Sequence, residues 1–450
     1  MGHDLPQPPR AAQWLFLLAG IMTSAVAAQT TQPCAPETMA PATQPVTAER
    51  ETSKPTAGDF WTRPTLTGDW GGVRTALEEA GWTFELKYMQ QYQQNFRGGL
   101  RTHNGHRFSG SYDLSIEADF DKMKLIPGGS FYIKARGNYS DGINPDKVGA
   151  LYNVNADAFD DYPIFVRKWW YRQEFFDGRL EFRLGRLVTN KDLFDISLYA
   201  NHEDNDFLSR LAIRNVVVPH TAGIGAFAKV EPIQNFYVQA AVLDAQAEKR
   251  TRTGFDTAFH DEDWFNVLWE IGFTPAWKTA RGPMPGRYRI GSWYEPVPKE
   301  IFEELDEDEE PRTRTGDSGI YLGLDQMIFK ENADPQDSQG LGLFSRLGLA
   351  HGEVNRVDVY WEAGLSYKGL IPTRDQDVLG FAVAQAVLSS QYHDRIDPKA
   401  DRETIYEWYY SFYLAPWCII SPDFQVVTNP GGNTDDRDAI IGGIRIRLMF

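Results

Sequence analysis

The last residues of the chain, Asp438 to Phe450, read DAIIGGIRIRLMF. Side chains of a β-strand point to opposite faces at successive residues. Counting back from Phe450 in steps of two gives the apolar set Leu448, Ile446, Ile444, Gly442 and Ile440, whereas the alternate set contains Arg445 and Arg447. This segment is therefore predicted to be a strand with one apolar and one hydrated face. Strands of soluble sheets can alternate in the same way, so the rest of the chain has to distinguish a soluble sheet from one with lipid on its apolar face.

The composition narrows the class of protein. A chain of 450 residues could form two or three soluble domains or one large barrel. Beyond the amino-terminus it contains no apolar run of the length that a membrane-spanning helix needs, which excludes helical spans. A transmembrane barrel passes this test, because only every second residue of its strands faces lipid. The net charge of −17 argues against a nucleic-acid partner.

The amino-terminal residues resemble targeting sequence. Residues 1–28 contain Arg10, an apolar run from Trp14 to Val26, and Ala25 and Ala27 in A-x-A spacing, which predicts a cleaved secretory signal peptide. Residues 29–59 are rich in Pro, Thr and Ala and have few large apolar side chains, so we expect a disordered leader.

Residues 60–81 are predicted to form a periplasmic helical segment. Thr67 or Asp69 can cap a helix whose apolar residues recur at helical spacing, and Gly81 can end it in a left-handed turn. The apolar period then changes from 3.6 to 2, which marks the start of a barrel domain over residues 82–450.

Period-2 segments recur through the barrel domain in an even number, as bacterial barrels require. The sixteen predicted strands are 82–93, 108–121, 129–140, 165–176, 179–188, 220–231, 234–244, 263–274, 286–295, 318–330, 340–351, 356–368, 377–389, 404–415, 416–427 and 438–450. Both ends of the chain then lie on the periplasmic side. Short periplasmic turns are expected at Pro127–Gly129, Asp177–Gly178 and Glu231–Pro232, and long external loops at 138–162, 189–219 and 296–317.

Several motifs resemble those of one family in sequence order. They are Thr67–Gly81, LGR at Leu184–Arg186, PHTAGIGAF at Pro219–Phe227, GLDQ at Gly323–Gln326, AGLSYKGLIPTRDQD at Ala363–Asp377 and PDFQVVTNPGG at Pro422–Gly432. Together they resemble the OprB-type carbohydrate-selective porins over most of residues 66–450. The resemblance implies an all-β transmembrane antiparallel barrel of about sixteen strands, with a short amino-terminal helix, that passes sugars across the outer membrane of a Gram-negative-type bacterium.

The parity of each strand predicts which side chains point into the barrel. Charged residues of both signs fall on the set opposite the apolar one, and a Lys or Arg turned to lipid at mid-depth would cost about 2–4 kcal/mol, so that face must be wet. The predicted solute-binding and pore-lining residues are Glu117, Lys134, Arg136, Arg183, Glu270, Arg346, Glu362, Glu407, Arg445, Arg447, Tyr132, Trp170, Tyr360 and Tyr409.

The residue types on this face suit a polyhydroxylated solute. Aromatic rings bind the C–H faces of sugars, guanidinium groups donate hydrogen bonds to hydroxyls, and carboxylates accept them. A porin selective for anions would instead carry a strong cationic excess. The segment 189–219 is the candidate for the loop that narrows the pore.

Two further classes of function stay open at the level of sequence. A secreted carbohydrate-active hydrolase needs a close pair of carboxyl groups, but with 62 acidic residues such pairs are uninformative. A barrel that serves mainly as a structural anchor has the same strand pattern.

The histidines do not recur at metal-binding spacing, so we expect neither metal nor cofactor. The acidic run Glu303–Glu310 is most simply a solvated external loop, with divalent cations that bridge to lipopolysaccharide as the alternative.

The expected partners follow from this class of protein. They are small sugars, outer-membrane lipid and lipopolysaccharide, and the barrel-assembly machinery through the terminal strand that ends in Phe450. No nucleic acid is expected. The sequence leaves open whether the barrel is a monomer or a homotrimer.

Overall fold

The computed structural model describes residues 59–158, 163–190, 192–200, 207–246, 264–305, 310–334 and 337–450. The predicted signal peptide, and all but the last residue of the predicted leader, lie outside the described residues. No helix within these ranges combines the length and the apolar character that crossing a membrane requires.

Strands dominate the described chain. In order they are β1 Trp82–Arg97, β2 His106–Asp119, β3 Gly129–Tyr139, β4 Phe165–Phe175, β5 Leu180–Val188, β6 Ala222–Ile233, β7 Phe236–Asp244, β8 Phe265–Phe273, β9 Ala276–Thr279, β10 Gly282–Glu295, β11 Lys299–Leu305, β12 Pro311–Arg314, β13 Asp317–Lys330, β14 Gly340–Ala350, β15 Val357–Lys368, β16 Val378–Leu388, β17 Arg402–Ala415, β18 Cys418–Thr428 and β19 Ala439–Met449. The short α-helices are α1 Val73–Glu79, α2 Arg210–Ile213 and α3 Ser390–Arg395.

Sixteen of these strands form one closed antiparallel barrel. Neighbours pair in chain order from β1 to β8, then through β10 and from β13 to β19. The ring closes where β19 pairs with β1, placing Leu448 opposite Tyr88 and Arg445 opposite Gln91. The short β9 pairs with the start of β10, and β11 and β12 form a separate hairpin in the loop before β13. All sixteen predicted segments are confirmed as strands, with ends that differ by a few residues.

The two faces of the wall differ as the sequence pattern predicts. In β19, Ile444 is 39% exposed, whereas its neighbour Arg445 is 5% exposed. In β2, Leu114 is exposed between the buried side chains of Asp113 and Ser115. Apolar side chains therefore cover the outer face, and polar ones are enclosed on the inner face.

One predicted turn is wrong. β6 continues through Glu231 and Pro232 to Ile233, and the chain reverses at Gln234 and Asn235 instead. The pairing of β6 with β7 shifts register before Ile233, and such an irregularity tolerates proline because no ladder hydrogen bond is needed there. Asn235 takes the left-handed conformation that the tight turn requires, with φ of 65°.

The segment before β1 is helical, as predicted, but its capping differs. A 3₁₀ turn, Trp70–Gly72, precedes α1, and the residue that caps α1 is Gly72. Asp69 instead accepts hydrogen bonds from the Thr75 backbone N–H at 2.9 Å and from its hydroxyl at 2.8 Å. Gly81 has φ of 93° and reverses the chain into β1, as expected.

This segment joins the two ends of the described chain at one rim of the barrel. The Leu66 N–H donates to the Met449 carbonyl at 2.7 Å, and the Arg74 guanidinium donates to Phe450 O at 2.9 Å. Trp417, in the turn between β17 and β18, donates its indole N–H to the Phe60 carbonyl at 2.9 Å. The amino-terminal segment thus fastens the rim where β1, β18 and β19 meet.

Replacing Ile444 by Arg tests the assignment of the outer face. A cation at this mid-strand position would face lipid, so we expect the free energy of unfolding in lipid vesicles to fall by about 2–4 kcal/mol. Ile444→Leu, which keeps the apolar surface, serves as the control and should change the value by less than about 1.5 kcal/mol. Equal stability of the two variants in urea titrations would contradict the assignment.

Candidate functional site inside the barrel

The connector between β5 and β6, residues 189–221, is described at 189–190, 192–200 and 207–221, and these parts fold inside the ring. Its backbone accepts hydrogen bonds from inner-face side chains on distant parts of the wall: Gln239 on β7 donates to the Leu193 carbonyl at 2.7 Å, and Tyr360 on β15 donates to the Leu211 carbonyl at 2.9 Å. One segment can reach both strands only by crossing the interior. The described residues of the loop predicted at 189–219, which was expected to be external, therefore lie within the barrel.

A buried charge network holds this connector against one half of the wall. Arg289 on β10 lies between Asp195 of the connector, at 3.0 Å, and Asp325 on β13, at 2.5 Å. Arg346 on β14 donates to Glu362 on β15 at 2.6 Å. All five side chains have no exposed surface. A charge this deep is tolerated only when it is paired and hydrogen-bonded, and here each guanidinium contacts a carboxylate.

Wall side chains also satisfy the backbone of the connector. Both carboxylate oxygens of Glu407, on β17, accept hydrogen bonds from the connector, one from the Leu208 N–H and the other from the Ser209 N–H at 2.9 Å. Arg346 donates to the carbonyls of Ala212 and Ile213 at 3.0 and 3.2 Å. Burying the backbone of a loop is unfavourable unless its polar groups find such partners.

Inner-face glycines on β14 make room for the connector. A Cβ atom on Gly342 would lie 2.3 Å from the Tyr199 ring, and one on Gly348 would lie 2.4 Å from Asn215 Oδ1. Sequence reasoning missed these two positions. Glycines of the same parity as Arg346 within a barrel strand are the pattern that could have indicated them, because they leave space where a side chain is expected.

Six of the predicted pore-lining residues lie under the connector. Glu270, Arg346, Glu362, Glu407, Tyr360 and Tyr409 are each exposed by 5% or less. Besides the bonds described above, Glu270 accepts from the Asp195 N–H at 2.8 Å, and the Tyr409 ring packs edge-on against Phe207. In this structure these six side chains contact the connector and the wall rather than open space.

The other half of the interior has a different character. Tyr132 on β3 and Trp170 on β4 stack with ring centroids 5.0 Å apart and planes inclined by 15°. The Arg183 guanidinium lies 5.0 Å from the Trp170 ring, and the Lys168 ammonium lies 5.7 Å from the Tyr132 ring. These side chains are only partly buried. Tyr132 and Trp170 form an aromatic surface, which we call the platform, and the cations Arg183 and Lys168 lie at its edges.

Ion pairs surround the platform. Asp113 on β2 accepts hydrogen bonds from Arg136 Nε at 2.5 Å and Arg136 Nη2 at 2.8 Å, and from Lys134 at 3.1 Å. Arg136 also lies 3.4 Å from Asp157, in the connector between β3 and β4.

The remaining predicted residues lie on the same side of the ring. Glu117 lies 3.6 Å from Arg172, and Arg183 forms an ion pair with Glu181. Arg445 is buried and Arg447 half-buried on β19.

A β-bulge places one unpredicted cation among these groups. Lys134 pairs with Lys168 and Ala135 with Val166, so Arg167 is the extra residue of β4 and has no partner in the register. Bulges re-aim side chains and are common beside functional sites. Strict alternation sends Lys168 inward and its neighbour Arg167 to lipid. Two consecutive cations in mid-strand are therefore the sequence feature that could have predicted the bulge.

The connector adds charges to this half. Asp192 bonds Lys168 at 2.7 Å, and the charges of Lys168 and Arg167 lower the pKa of Asp192 although burial raises it. Burial and then the charges of Arg167 and Arg210 lower the pKa of Arg214 to about 9. Burial and then the charges of Arg214, Arg167 and Arg210 hold the pKa of His220 well below its usual value, which keeps this imidazole neutral.

The acidic run of the external loop is described only in part. Glu304 lies 2.9 Å from Arg395 on α3 and 3.2 Å from Arg312 on β12, so this carboxylate is paired within the protein. The four residues 306–309 lie outside the described ranges. Among the described residues no group of three or more His, Cys, Asp or Glu side chains is arranged to hold a metal ion.

A closed sixteen-stranded barrel with an apolar outer face and a charged interior defines an outer-membrane channel protein. The family model described as "Carbohydrate-selective porin, OprB family" matches residues 103–450, so the chain belongs to the OprB family of carbohydrate-selective porins. Family and fold point to a channel rather than an enzyme, located in the outer membrane of a Gram-negative bacterium.

Individual relatives agree with this assignment. Porin B of Pseudomonas aeruginosa is 25% identical over 427 residues, which cover 86% of this chain and 91% of that protein. A putative porin, QuiX, of Acinetobacter baylyi is 22% identical over 438 residues, covering 88% of this chain and 95% of the relative. The high-pH structure of Pseudomonas putida OprB superposes with a TM-score of 0.78 at 22% identity, over 87% of this chain and all of that chain. The last comparison shows a shared fold.

Replacing Glu407 by Ala tests how the connector is held. The Leu208 and Ser209 N–H groups would lose their acceptors, and each buried unpaired donor costs about 1–3 kcal/mol. We therefore expect amide hydrogen exchange of residues 207–213 to accelerate by about tenfold or more. Glu117→Ala removes an inner-face carboxylate that does not bond the connector and should leave that exchange unchanged. Protection that survives in Glu407→Ala would refute this role.

Proposed function

We propose that the protein lets small sugars diffuse passively through the half of the barrel interior bounded by β19 and by β1 to β6. The observation that carries this proposal is the stacked pair Tyr132 and Trp170, which is partly exposed and has Arg183 and Lys168 at its edges. An aromatic platform bordered by hydrogen-bonding groups suits a solute with one apolar C–H face and a rim of hydroxyls.

Paired charges on the wall of this half suit the hydroxyl groups of a sugar better than a single unpaired charge on the wall would. A sugar hydroxyl both donates and accepts hydrogen bonds, and here donors stand next to acceptors: Arg183 with Glu181, and Arg172 with Glu117. The solute can exchange its water partners for these groups step by step. No covalent step is needed, and the movement follows the concentration gradient.

The pore-lining set is accordingly divided into two roles. Glu117, Lys134, Arg136, Arg183, Arg445, Arg447, Tyr132 and Trp170 are proposed to border the solute path. Glu270, Arg346, Glu362, Glu407, Tyr360 and Tyr409 are proposed to hold the connector 189–221, which then narrows the pore. The second group acts on transport only through the position of the connector.

The partners of the barrel remain those expected from its class. The exposed apolar outer face suits outer-membrane lipid, and the terminal strand suits recognition by the barrel-assembly machinery. The Phe450 N–H donates to the Leu86 carbonyl at 2.8 Å, so the terminal residue continues the closing β1–β19 pair. Export through the signal peptide 1–28, a disordered leader over 29–59, lipopolysaccharide contacts, and a monomeric or trimeric state belong to the same proposal.

A barrel that is only an anchor would have no reason to keep a partly exposed platform in its interior. Single-channel recordings separate the two functions, because a porin gives discrete conductance steps in a planar bilayer and an anchor gives none. The same recordings with sugars added measure how long each sugar occupies the pore.

Two neighbouring tryptophans provide a matched test of the platform. Trp170 faces the interior, whereas Trp169 contributes to an apolar depression on the outer face. Trp170→Ala should weaken the block of single-channel current by maltose about 2- to 10-fold, the effect of losing one aromatic contact of about 0.5–1.5 kcal/mol. Trp169→Ala removes the same side chain from the other face and should leave the block constant unchanged. An equal effect of both variants would count against a sugar path along the platform.

A further inference from the structure

The loop between β1 and β2 is basic although the protein is acidic. Residues 96–110 read FRGGLRTHNGHRFSG and contain three arginines and two histidines but no Asp or Glu, whereas the whole chain has 62 acidic and 45 basic residues. Both chain ends are predicted to be periplasmic, so this loop lies at the external rim of the barrel, beside the outer leaflet of the membrane. Neither closure of the ring nor sugar diffusion requires a basic segment at this place.

A β-bulge turns one of these arginines towards the outer face. The register with β19 advances from the pair Asn95–Ile441 to the pair Arg97–Ile440, so Phe96 is the extra residue of β1. Ile440 belongs to the outward apolar set of β19, whereas strict alternation from the buried Asn95 would send Arg97 inward. Phe96 and Arg97 are both exposed. Arg97 therefore lies at the edge of the surface that faces lipid.

Three large apolar side chains of the same segment are exposed. Phe96, Leu100 and Phe108 have 59%, 59% and 60% of their surface accessible. The Phe96 ring lies over Gly442 on β19, where a Cβ atom would be 2.8 Å from the ring. Phe108 packs against Tyr92 with ring centroids 4.9 Å apart. The apolar outer face thus continues up to the basic loop.

Two of the three arginines keep their charge available. Arg107 forms ion pairs with Asp141 at 2.6 Å and with Asp146 at 3.1 Å, both in the connector between β3 and β4. Arg97 and Arg101 are exposed, and among the described residues neither has a carboxylate at ion-pair distance.

The loop between β18 and β19 brings charges of both signs to the same rim. The Gly99 N–H donates to the Arg437 carbonyl at 2.9 Å, and Arg437 is flanked by aspartates at 435, 436 and 438. These carboxylates would repel a free anion. A ligand with phosphate groups therefore has to gain from apolar contacts as well, which favours an amphiphile over a soluble anion.

We infer that this segment forms a docking surface for the lipopolysaccharide of the outer leaflet. Arg97 and Arg101 bind phosphate groups of its lipid A part, and the side chains of Phe96, Leu100 and Phe108 contact its acyl chains. A guanidinium group donates paired hydrogen bonds to a phosphate, and basic side chains beside an apolar membrane surface strengthen the binding of anionic lipid. The inference rests on the lipopolysaccharide contact of the proposed function and gives that contact a site, one that needs no divalent cation.

Binding of purified lipid A to the full barrel in a non-ionic detergent tests the surface, with native mass spectrometry as the measurement. Bisphosphorylated lipid A should bind the wild type about tenfold or more tightly than it binds Arg97→Gln/Arg101→Gln, because two charge-assisted contacts are lost. The control Lys124→Gln/Arg179→Gln removes two exposed cations from turns of the opposite rim, where large apolar side chains are likewise exposed. It should bind lipid A like the wild type.

Chelation and the choice of lipid separate this surface from its alternatives. EDTA should leave lipid A binding unchanged, because the guanidinium groups contact the phosphates directly. Loss of binding in EDTA would assign it to bridging cations and overturn the inference. Phosphatidylglycerol, which has a single phosphate, should bind more weakly, and equal affinity for the two lipids would show a general anionic-lipid surface instead.

The outcomes are independent of sugar transport. If the wild type fails to bind lipid A, or if the arginine double variant binds it equally well and migrates as a folded, heat-modifiable band, the docking surface is wrong. Single-channel conductance and its block by maltose should be the same in the wild type and in this variant. Absence of both in the wild type would refute the proposed function, whatever the result with lipid A.

Discussion

Closure of the sheet is the constraint on which the rest of this structure depends. Hydrocarbon offers no partner to a backbone N–H or carbonyl, so a strand can cross a membrane only in a ring without edges. Here the ring closes where β19 pairs with β1, and the segment before β1 bonds to the last residues of the chain. Once the ring is closed, every second side chain has to face lipid and the others have to face inward. The alternation of Ile444 and Arg445 is a local result of that requirement.

The interior is not a uniform pore. Acidic and basic side chains on one half of the wall form ion pairs with each other and with the connector. One example runs from Asp325 through Arg289 to Asp195. On the opposite half the cations at the platform, Arg183 and Lys168, are partly exposed, and there the connector contributes Asp192. The connector therefore makes two kinds of contact: its described residues pack against one half of the wall, and Asp192 pairs with Lys168 on the other half.

Alternation along each strand was sufficient to predict the sixteen strands and the inner or outer face of most residues, because a side-chain period of 2 is a local property. It could not predict which inward side chains remain accessible. Whether Glu407 meets water or the backbone of Leu208 depends on a loop almost 200 positions earlier in the sequence, a contact that no local pattern encodes. Arg167 was missed for a different reason: a single extra residue in β4 breaks the parity on which the prediction relies.

Accessibility of single cysteines on the two halves of the inner face tests the central claim most directly. In a background with Cys34 and Cys418 replaced by Ala, Lys134→Cys lies beside the platform, and Ala384→Cys lies on the inner face of β16, opposite Glu362 in the register and with no exposed surface. A small charged thiol reagent should modify Lys134→Cys and change the single-channel current, while Ala384→Cys stays unmodified. Rapid modification of Ala384→Cys, with Lys134→Cys unreactive, would place the open passage on the other half and contradict the account.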